Sequence, residues 1–377
     1  MDFSLTEEQG MLRASARDFL EEKCPKSLVK EMETDEQGYP PSLWKEMADL
    51  GWLGLVFPEE YDGSGMNFLD LAVLLEETGR ACLPGPFFSS VVLGGLTILD
   101  AGTDAQKKTY LPDIASGESI ATMAITEPDG LYSPGSIKTR AESTGNDFSI
   151  KGQKLFVPDA HVADKLLCVA RTGEGSADTE GITIFLIDNP SEGMSHTVLK
   201  TISGDKLCEV VLDGVKVPAD RLIGSLDQGW PVVQRVIERA AVAKCCEMLG
   251  VMDRALEMTV SYAGERKQFG RPIGSFQIIQ HYCANMASDI DGARFSTYQA
   301  AWKISKGLPA TMEVSIAKAW MNEAFSRVIT TAHQINGAMG CTIDHELQYY
   351  TRRGKAGDLS YGDGDFHREL VAQQMGL

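Results

Sequence analysis

A chain of 377 residues that is 43% hydrophobic can bury a large core and is long for one domain, so two or three domains are expected. Its 53 acidic residues against 35 basic ones give a net charge of −18, which excludes long-range attraction to nucleic acid or anionic lipid and leaves any anionic ligand to local basic groups. There is no run of about 18 apolar residues, and the polar start MDFSLTEEQG is unlike a signal or transit peptide, so a cytoplasmic protein is expected.

From about residue 4 to 115 apolar residues recur at helical spacing, beginning with Phe3, Leu5, Met11, Leu12, Phe19 and Leu20, and Thr6 and Gln9 have the spacing of a capping box. Helical patterns continue through SLWKEMADLGWLGL and NFLDLAVLLEETGRACL. From about 120 to 225 the period shortens to β-rich runs, FSIKGQKLFV, KLLCVAR, GITIFLID and CEVVLDGVKV, separated by Gly, Asp, Asn and Pro. Long helices return over 231–264, 272–306 and 311–336, with Gly270 and Gly307-Leu308-Pro309 as punctuation and a shorter helix near 345–376. The expected class is therefore α+β and multidomain: an N-terminal α-helical domain over 1–118, a middle β-barrel-like domain over 119–226 and a C-terminal four-helix bundle over 227–377. Eight scattered cysteines form no CxxC pair and read as reduced, buried thiols, with no metal site.

One stretch is out of character for so acidic a chain. In GERKQFGRPIGSFQIIQH, residues 264–281, Arg266, Lys267 and Arg271 crowd around Phe269. Either this is the local site that an anionic ligand needs, or it is a solvated helix end whose cations face the negative pole of the helix dipole.

TEPDG (126–130) followed by GSIKTRAE, then KGQK, then ERKQFGRPIGSFQ and QINGAMGCT occur in an order and spacing that resemble the acyl-CoA dehydrogenase family of flavoproteins, and the resemblance covers nearly the whole chain. It implies a tetramer holding FAD between subunits, with the flavin against the β domain and the bundle and the pyrophosphate and adenine reaching a neighbouring subunit. An Arg fork beside an aromatic ring suits a pyrophosphate. By resemblance Arg266, Gln268 and Phe269 contact the dinucleotide end, with Phe276 and Gln277 close by. Gln334, Gly337 and Gly340 then form the matching loop, whose other reading is an ordinary helix stop. Thr126 matches the hydroxyl near the flavin pyrimidine ring. Phe156 stands where the family usually has Trp, and Pro158 where a Thr donates near N5; as a proline it has neither hydroxyl nor N–H. Phe156 alone reads equally well as a core residue. Tyr132 stands where a small Ser is usual.

The family's chemistry removes the α-proton of an acyl thioester while the β-hydride passes to flavin N5, and the first step needs a positioned carboxylate. Of the family's two places for it, the one on the first bundle helix falls on Ala240 and the one in the loop after the last long helix falls on Tyr361. Glu238 misses Ala240 by two residues, a rotation of about 200°. Glu247 lies seven residues beyond it, on nearly the same face but about 10 Å along the axis. Its alternative is a partly buried salt-bridge Glu. Asp363 is two residues from Tyr361, up to about 7 Å of extended chain. The base is therefore Glu247, Asp363 or absent from this chain.

Three readings stay open. The first is an acyl-CoA dehydrogenase with a relocated base, acting on a branched, cyclic or otherwise unusual acyl group and passing electrons to an electron-transfer flavoprotein. The second is a base-less FAD-binding subunit of a heteromeric enzyme, and the third is a flavin oxidase or monooxygenase on the same fold. Arg352, Arg353 and Lys355 form a basic cluster that either meets the CoA phosphates or is a solvated helix end.

Overall fold

The structure is a computed structural model that describes residues 4–173 and 178–377; Phe3 of the first apolar pattern lies outside them. The helices in chain order are α1 (Glu7–Lys23), α2 (Lys26–Thr34), α3 (Pro41–Asp49), α4 (Phe68–Ala81), α5 (Leu96–Ala101), α6 (Asp104–Ala115), α7 (Trp230–Glu265), α8 (Gln277–Ser305), α9 (Thr311–Asn336), α10 (Leu347–Leu359) and α11 (Gly364–Gln374). Between α6 and α7 lie β1 (Ala121–Ala124), β2 (Arg140–Thr144), β3 (Asp147–Pro158), β4 (Lys165–Arg171), β5 (Ile182–Asp188), β6 (Met194–Leu199), β7 (Leu207–Pro218) and β8 (Leu222–Ile223). After α7 come the two-residue strands β9 (Lys267–Gln268) and β10 (Arg271–Pro272). The order helical, β, helical is the α+β multidomain class that the periodicity indicates. Among the described residues no helix is long and apolar enough to cross a membrane.

The chain forms two compact units. One comprises Met1–Lys30, Phe68–Leu83 and Ala241–Leu377, and holds α1, α4, most of α7 and the helices after it. Its first helix starts at the expected capping box: Thr6 Oγ1 accepts from the Gln9 N–H at 3.2 Å, and Gln9 Oε1 accepts from the Thr6 N–H at 3.1 Å. Thr6→Ala should therefore cost about 1 kcal/mol of stability, read as a lower urea midpoint at unchanged slope.

Helices α4 and α7 touch backbone to backbone. A Cβ on Gly79 would lie 2.0 Å from the Glu247 carbonyl oxygen, and one on Gly250 would lie 1.9 Å from that of Glu76. So close an approach buries the carboxylates of α4, which take partners from neighbouring helices. Glu76 pairs with Arg294 at 2.5 Å and accepts from the Tyr298 hydroxyl at 2.7 Å, and Glu77 pairs with Arg17 at 2.7 Å.

The other unit, Glu31–Asn67 and Pro84–Ala240, contains the sheet. Its strands run in the order β6-β7-β3-β2-β4-β5-β8, with β1 parallel to β4 as a branch. β3 and β7 form the long antiparallel pair, and Ile150, Val210, Leu212 and Val215 from them join Leu166 and Phe185 in the core. β3 slips register twice, between Ile150 and Lys151 and between Lys154 and Val157. The second slip, a β-bulge, re-aims the residues that it leaves unmatched.

Three strands lack the pattern that would reveal them. β1 is four residues long, β2 is the polar run RAEST, and most of β6 is exposed. The shorter C-terminal helix is two helices, because Tyr361 and Gly362 take φ of 57° and 98° between α10 and α11.

Candidate cofactor and active-site residues

In the sheet-containing unit, Thr126, Phe156 and Pro158 come together. Thr126 follows β1, is nearly buried, and its carbonyl accepts from the Leu155 N–H at 2.9 Å. Phe156 sits in the β3 bulge with φ of 55° and its side chain 52% exposed. An aromatic residue held left-handed costs about 1 to 3 kcal/mol, and such strain persists only where the surroundings impose it. Here it displays a ring rather than packing one, so the core reading of Phe156 fails. The Pro158 carbonyl accepts from the Thr122 hydroxyl at 2.6 Å. Tyr132 is half-buried in the loop after TEPDG.

In the helical unit, the cationic stretch is a β-hairpin. Gln268 pairs with Arg271 and Lys267 with Pro272, with Phe269 (φ 51°) and Gly270 (φ 78°) at the tip. Two successive positive φ values are what a two-residue turn between twisted strands requires. The hairpin holds Phe269 at 93% exposure, 6.1 Å and edge-on from Phe276, while the Arg271 guanidinium lies 4.2 Å over the Phe276 ring. Arg266, Gln268 and Gln277 are exposed, and the Arg266 side chain has no hydrogen bond or ion pair to any described residue. A cation without a partner and a bare aromatic ring, in a chain of charge −18, fit an anionic dinucleotide.

Gln334 and Gly337 are exposed at the end of α9, and Gly340 is buried. Gly337 combines φ of 59° with ψ of −145°, a conformation essentially confined to glycine, so this helix stop is also a tightly specified turn.

The catalytic candidates separate clearly. Ala240 is fully buried, and Glu238 Oε1 accepts a long contact from Gln234 Nε2 at 3.4 Å. Glu247 Oε2 accepts from Lys244 Nζ at 2.7 Å, so the salt bridge weighed as its alternative role exists. Both side chains remain accessible, at 22% and 23%, although Cys245, Cys246, Met248 and Leu249 beside them are sealed. Glu247 Oε1 makes no hydrogen bond to a described residue. Asp363, by contrast, is the N-cap of α11, its Oδ1 accepting from the Phe366 N–H at 2.9 Å. In the basic cluster, Arg352 lies 5.3 Å over the Tyr349 ring and Lys355 pairs with Asp358 at 2.5 Å.

Beneath the turn carrying Tyr361 and Asp363 lie buried basic groups that the sequence does not reveal. Lys318, fully buried, donates to Asn322 Oδ1 at 3.0 Å and to the carbonyls of Gly357 at 3.0 Å and Asp358 at 2.9 Å, which caps α10. Burial pushes its ammonium down to about 8. His367 Nε2 donates to the Tyr361 carbonyl at 2.9 Å, leaving Nδ1 to accept from Ser315 at 3.4 Å. Burial pushes this imidazole down to about 4, against the bond to Tyr361, which favours the charged form.

The unfolded chain binds this proton near 6.5 and the folded chain near 4, so the contribution of His367 is complete above pH 6.5 and is lost as the pH falls toward 4. It amounts to about 3 kcal/mol. A His367→Asn variant should accordingly lose less stability than the parent between those pH values, measured by urea unfolding at each pH.

Comparison with known proteins gives three family matches: acyl-CoA dehydrogenase N-terminal domain over residues 6–118, middle domain over 122–215 and C-terminal domain over 227–376. A probable acyl-CoA dehydrogenase, YngJ, of Bacillus subtilis is 31% identical over 380 residues, covering 100% of both chains. Butyryl-CoA dehydrogenase from Megasphaera elsdenii superposes with a TM-score of 0.92 at 27% identity over 100% of both chains. The ChsE4-ChsE5 complex from Mycobacterium tuberculosis matches with a TM-score of 0.91 at 28% identity over 100% of this chain and 99% of that one.

Proposed function

This chain belongs to the acyl-CoA dehydrogenase family, FAD-dependent oxidoreductases acting on CH–CH groups, and on that premise we propose that it desaturates an acyl-CoA thioester between its α and β carbons. The observation that carries the reading is Phe156, an aromatic ring displayed at left-handed φ in a β-bulge beside Thr126, together with the Arg266–Phe269 hairpin. FAD, when bound, supplies the acceptor for the β-hydride at N5. Thr126 and Phe156 hold the flavin end, and Arg266, Gln268, Phe269, Phe276, Gln277, Gln334, Gly337 and Gly340 hold the dinucleotide end of an FAD shared between subunits. Pro158 withholds the donor that the family usually places near N5.

Glu247 is the base. Lys244 fixes one carboxylate oxygen, and Oε1 receives the α-proton as the electrons of that C–H bond form the new C=C and the hydride leaves the β-carbon. Electrons pass on to an electron-transfer flavoprotein, and the assembly is a tetramer.

A second reading is favoured by a specific observation: Ala240 and Tyr361 occupy both family base positions, and Asp363 is engaged as a helix cap. In that case the chain binds FAD, and a related partner chain brings the base, as the likeness to a two-protein complex suggests. Steady-state turnover of a panel of straight, branched and cyclic acyl-CoA thioesters with an artificial electron acceptor decides between them. Turnover by the chain alone supports the first reading, and turnover gained only on adding a second chain supports the second.

A further inference from the structure

Two motifs contain residues with no part in cofactor contact. TEPDG places Glu127 next to Thr126, and KGQK places Lys154 two residues before Phe156. In the structure the two side chains meet. Lys154 is fully buried and Glu127 nearly so, and Nζ lies 2.7 Å from Glu127 Oε1. The same Nζ donates to the Ile125 carbonyl at 3.1 Å. Glu127 Oε1 also accepts from the Thr139 N–H at 3.0 Å, and Oε2 from the Lys138 N–H at 2.8 Å. Burial pushes the Glu127 carboxyl up, but the Lys154 ammonium and the two N–H groups outweigh it and hold it below the usual carboxylate range.

We propose that Glu127 and Lys154 form a positioning clasp for the FAD site, fixing the backbone on both sides of Thr126 and setting the bulge that displays Phe156. Ile125 and Glu127, the residues flanking Thr126, are both held by Lys154. On β3 the residue after Lys154, Leu155, donates to the Thr126 carbonyl at 2.9 Å, and the register slip that exposes Phe156 begins at Lys154. A closed ring of contacts therefore ties the two expected flavin neighbours to one buried charge pair. Glu127 extends the same control to the chain entering β2 through Lys138 and Thr139. Stability alone gives little reason for such a pair, because desolvating two charges offsets most of their attraction and an apolar pair of similar volume commonly serves as well. What an apolar pair cannot do is grip one carbonyl and two N–H groups at set distances.

The inference rests on the reading that FAD lies against Thr126 and Phe156. It is tested with Lys154→Met and with the double variant Glu127→Gln/Lys154→Met, which removes both charges and carries the test where the single change leaves an unpaired buried carboxylate that prevents folding. Thermal midpoints of the apoproteins report the fold; FAD titration and the emission of bound FAD report the site. The expected result is a folded protein whose FAD dissociation constant rises roughly tenfold or more and whose bound flavin emits more strongly, as stacking on a mispositioned Phe156 is lost. A folded variant with unchanged FAD affinity and unchanged emission overturns the clasp. Phe156→Ala separates the premise from the inference. If that variant binds FAD as tightly as the parent and with the same emission, the flavin does not lie against Phe156, and it is the assignment of the site that fails.

Discussion

Exchanging Glu247 for Gln is expected to lower kcat by about 10²- to 10⁴-fold, the usual contribution of a general base, while the purified protein keeps its full complement of FAD. The exchange is nearly isosteric. Gln can still accept from Lys244, so the α7 surface and the packing against Gly79 stay as they are. What is lost is the ability of Oε1 to take a proton. Steady-state kinetics give the size of the loss, and α-proton exchange into deuterated water with a saturated acyl-CoA tests the step itself: the parent should exchange and the variant should not. Unchanged turnover in Glu247→Gln would remove this residue from the candidates for the base.

Arg266→Ala is expected to weaken FAD binding by about 1.5 to 3 kcal/mol, or roughly 10- to 100-fold, through loss of a charge-assisted contact to the pyrophosphate. Arg266 is exposed at the foot of the β9–β10 hairpin, and its side chain bonds to no described residue, so folding should be untouched. Equilibrium dialysis of FAD against parent and variant measures the change, and the thermal midpoint of the apoprotein checks the fold. A variant that purifies with stoichiometric flavin would place the pyrophosphate elsewhere. Arg266→Lys should recover only part of the affinity, since an ammonium lacks the planar fork.

The elements legible in the sequence are those whose meaning is local. The capping box at Thr6 and Gln9, the helices of the C-terminal zone and the long strands β3 and β7 are each written in a few consecutive residues. Repeating hydrophobic periods are the strongest signal a single sequence carries. Ile273–Ser275, read as helix, is a short 3₁₀ turn instead, because α8 begins at Gln277 after Pro272. β1 and β2 are not legible in the sequence for a different reason. Each is stabilised by neighbours far along the chain, β1 by β4 and β2 mainly by β3, rather than by its own pattern.

The site divides in the same way. The cationic hairpin and the glycine turn at 337 are legible because their chemistry is contiguous. Lys154 and Lys318 are not, since a lysine in a sequence reads as solvated surface until the structure shows it sealed among acceptors. Lys154 meets Glu127 across 27 residues, and Lys318 caps a helix 39 residues away. Likewise Phe156, as a residue type, reads equally well as a core residue. Its left-handed φ and its exposure, which give it meaning, are properties of the bulge and not of the residue type.

The most direct measurement is an anaerobic single turnover of the FAD-loaded protein with one equivalent of a saturated acyl-CoA, followed at the flavin absorbance and by the mass of the recovered thioester. The account predicts loss of the flavin band together with a thioester lighter by two hydrogens, in equal amounts and with no other chain present. A band that persists with every thioester offered, or one that bleaches while the thioester mass stays unchanged, would contradict it.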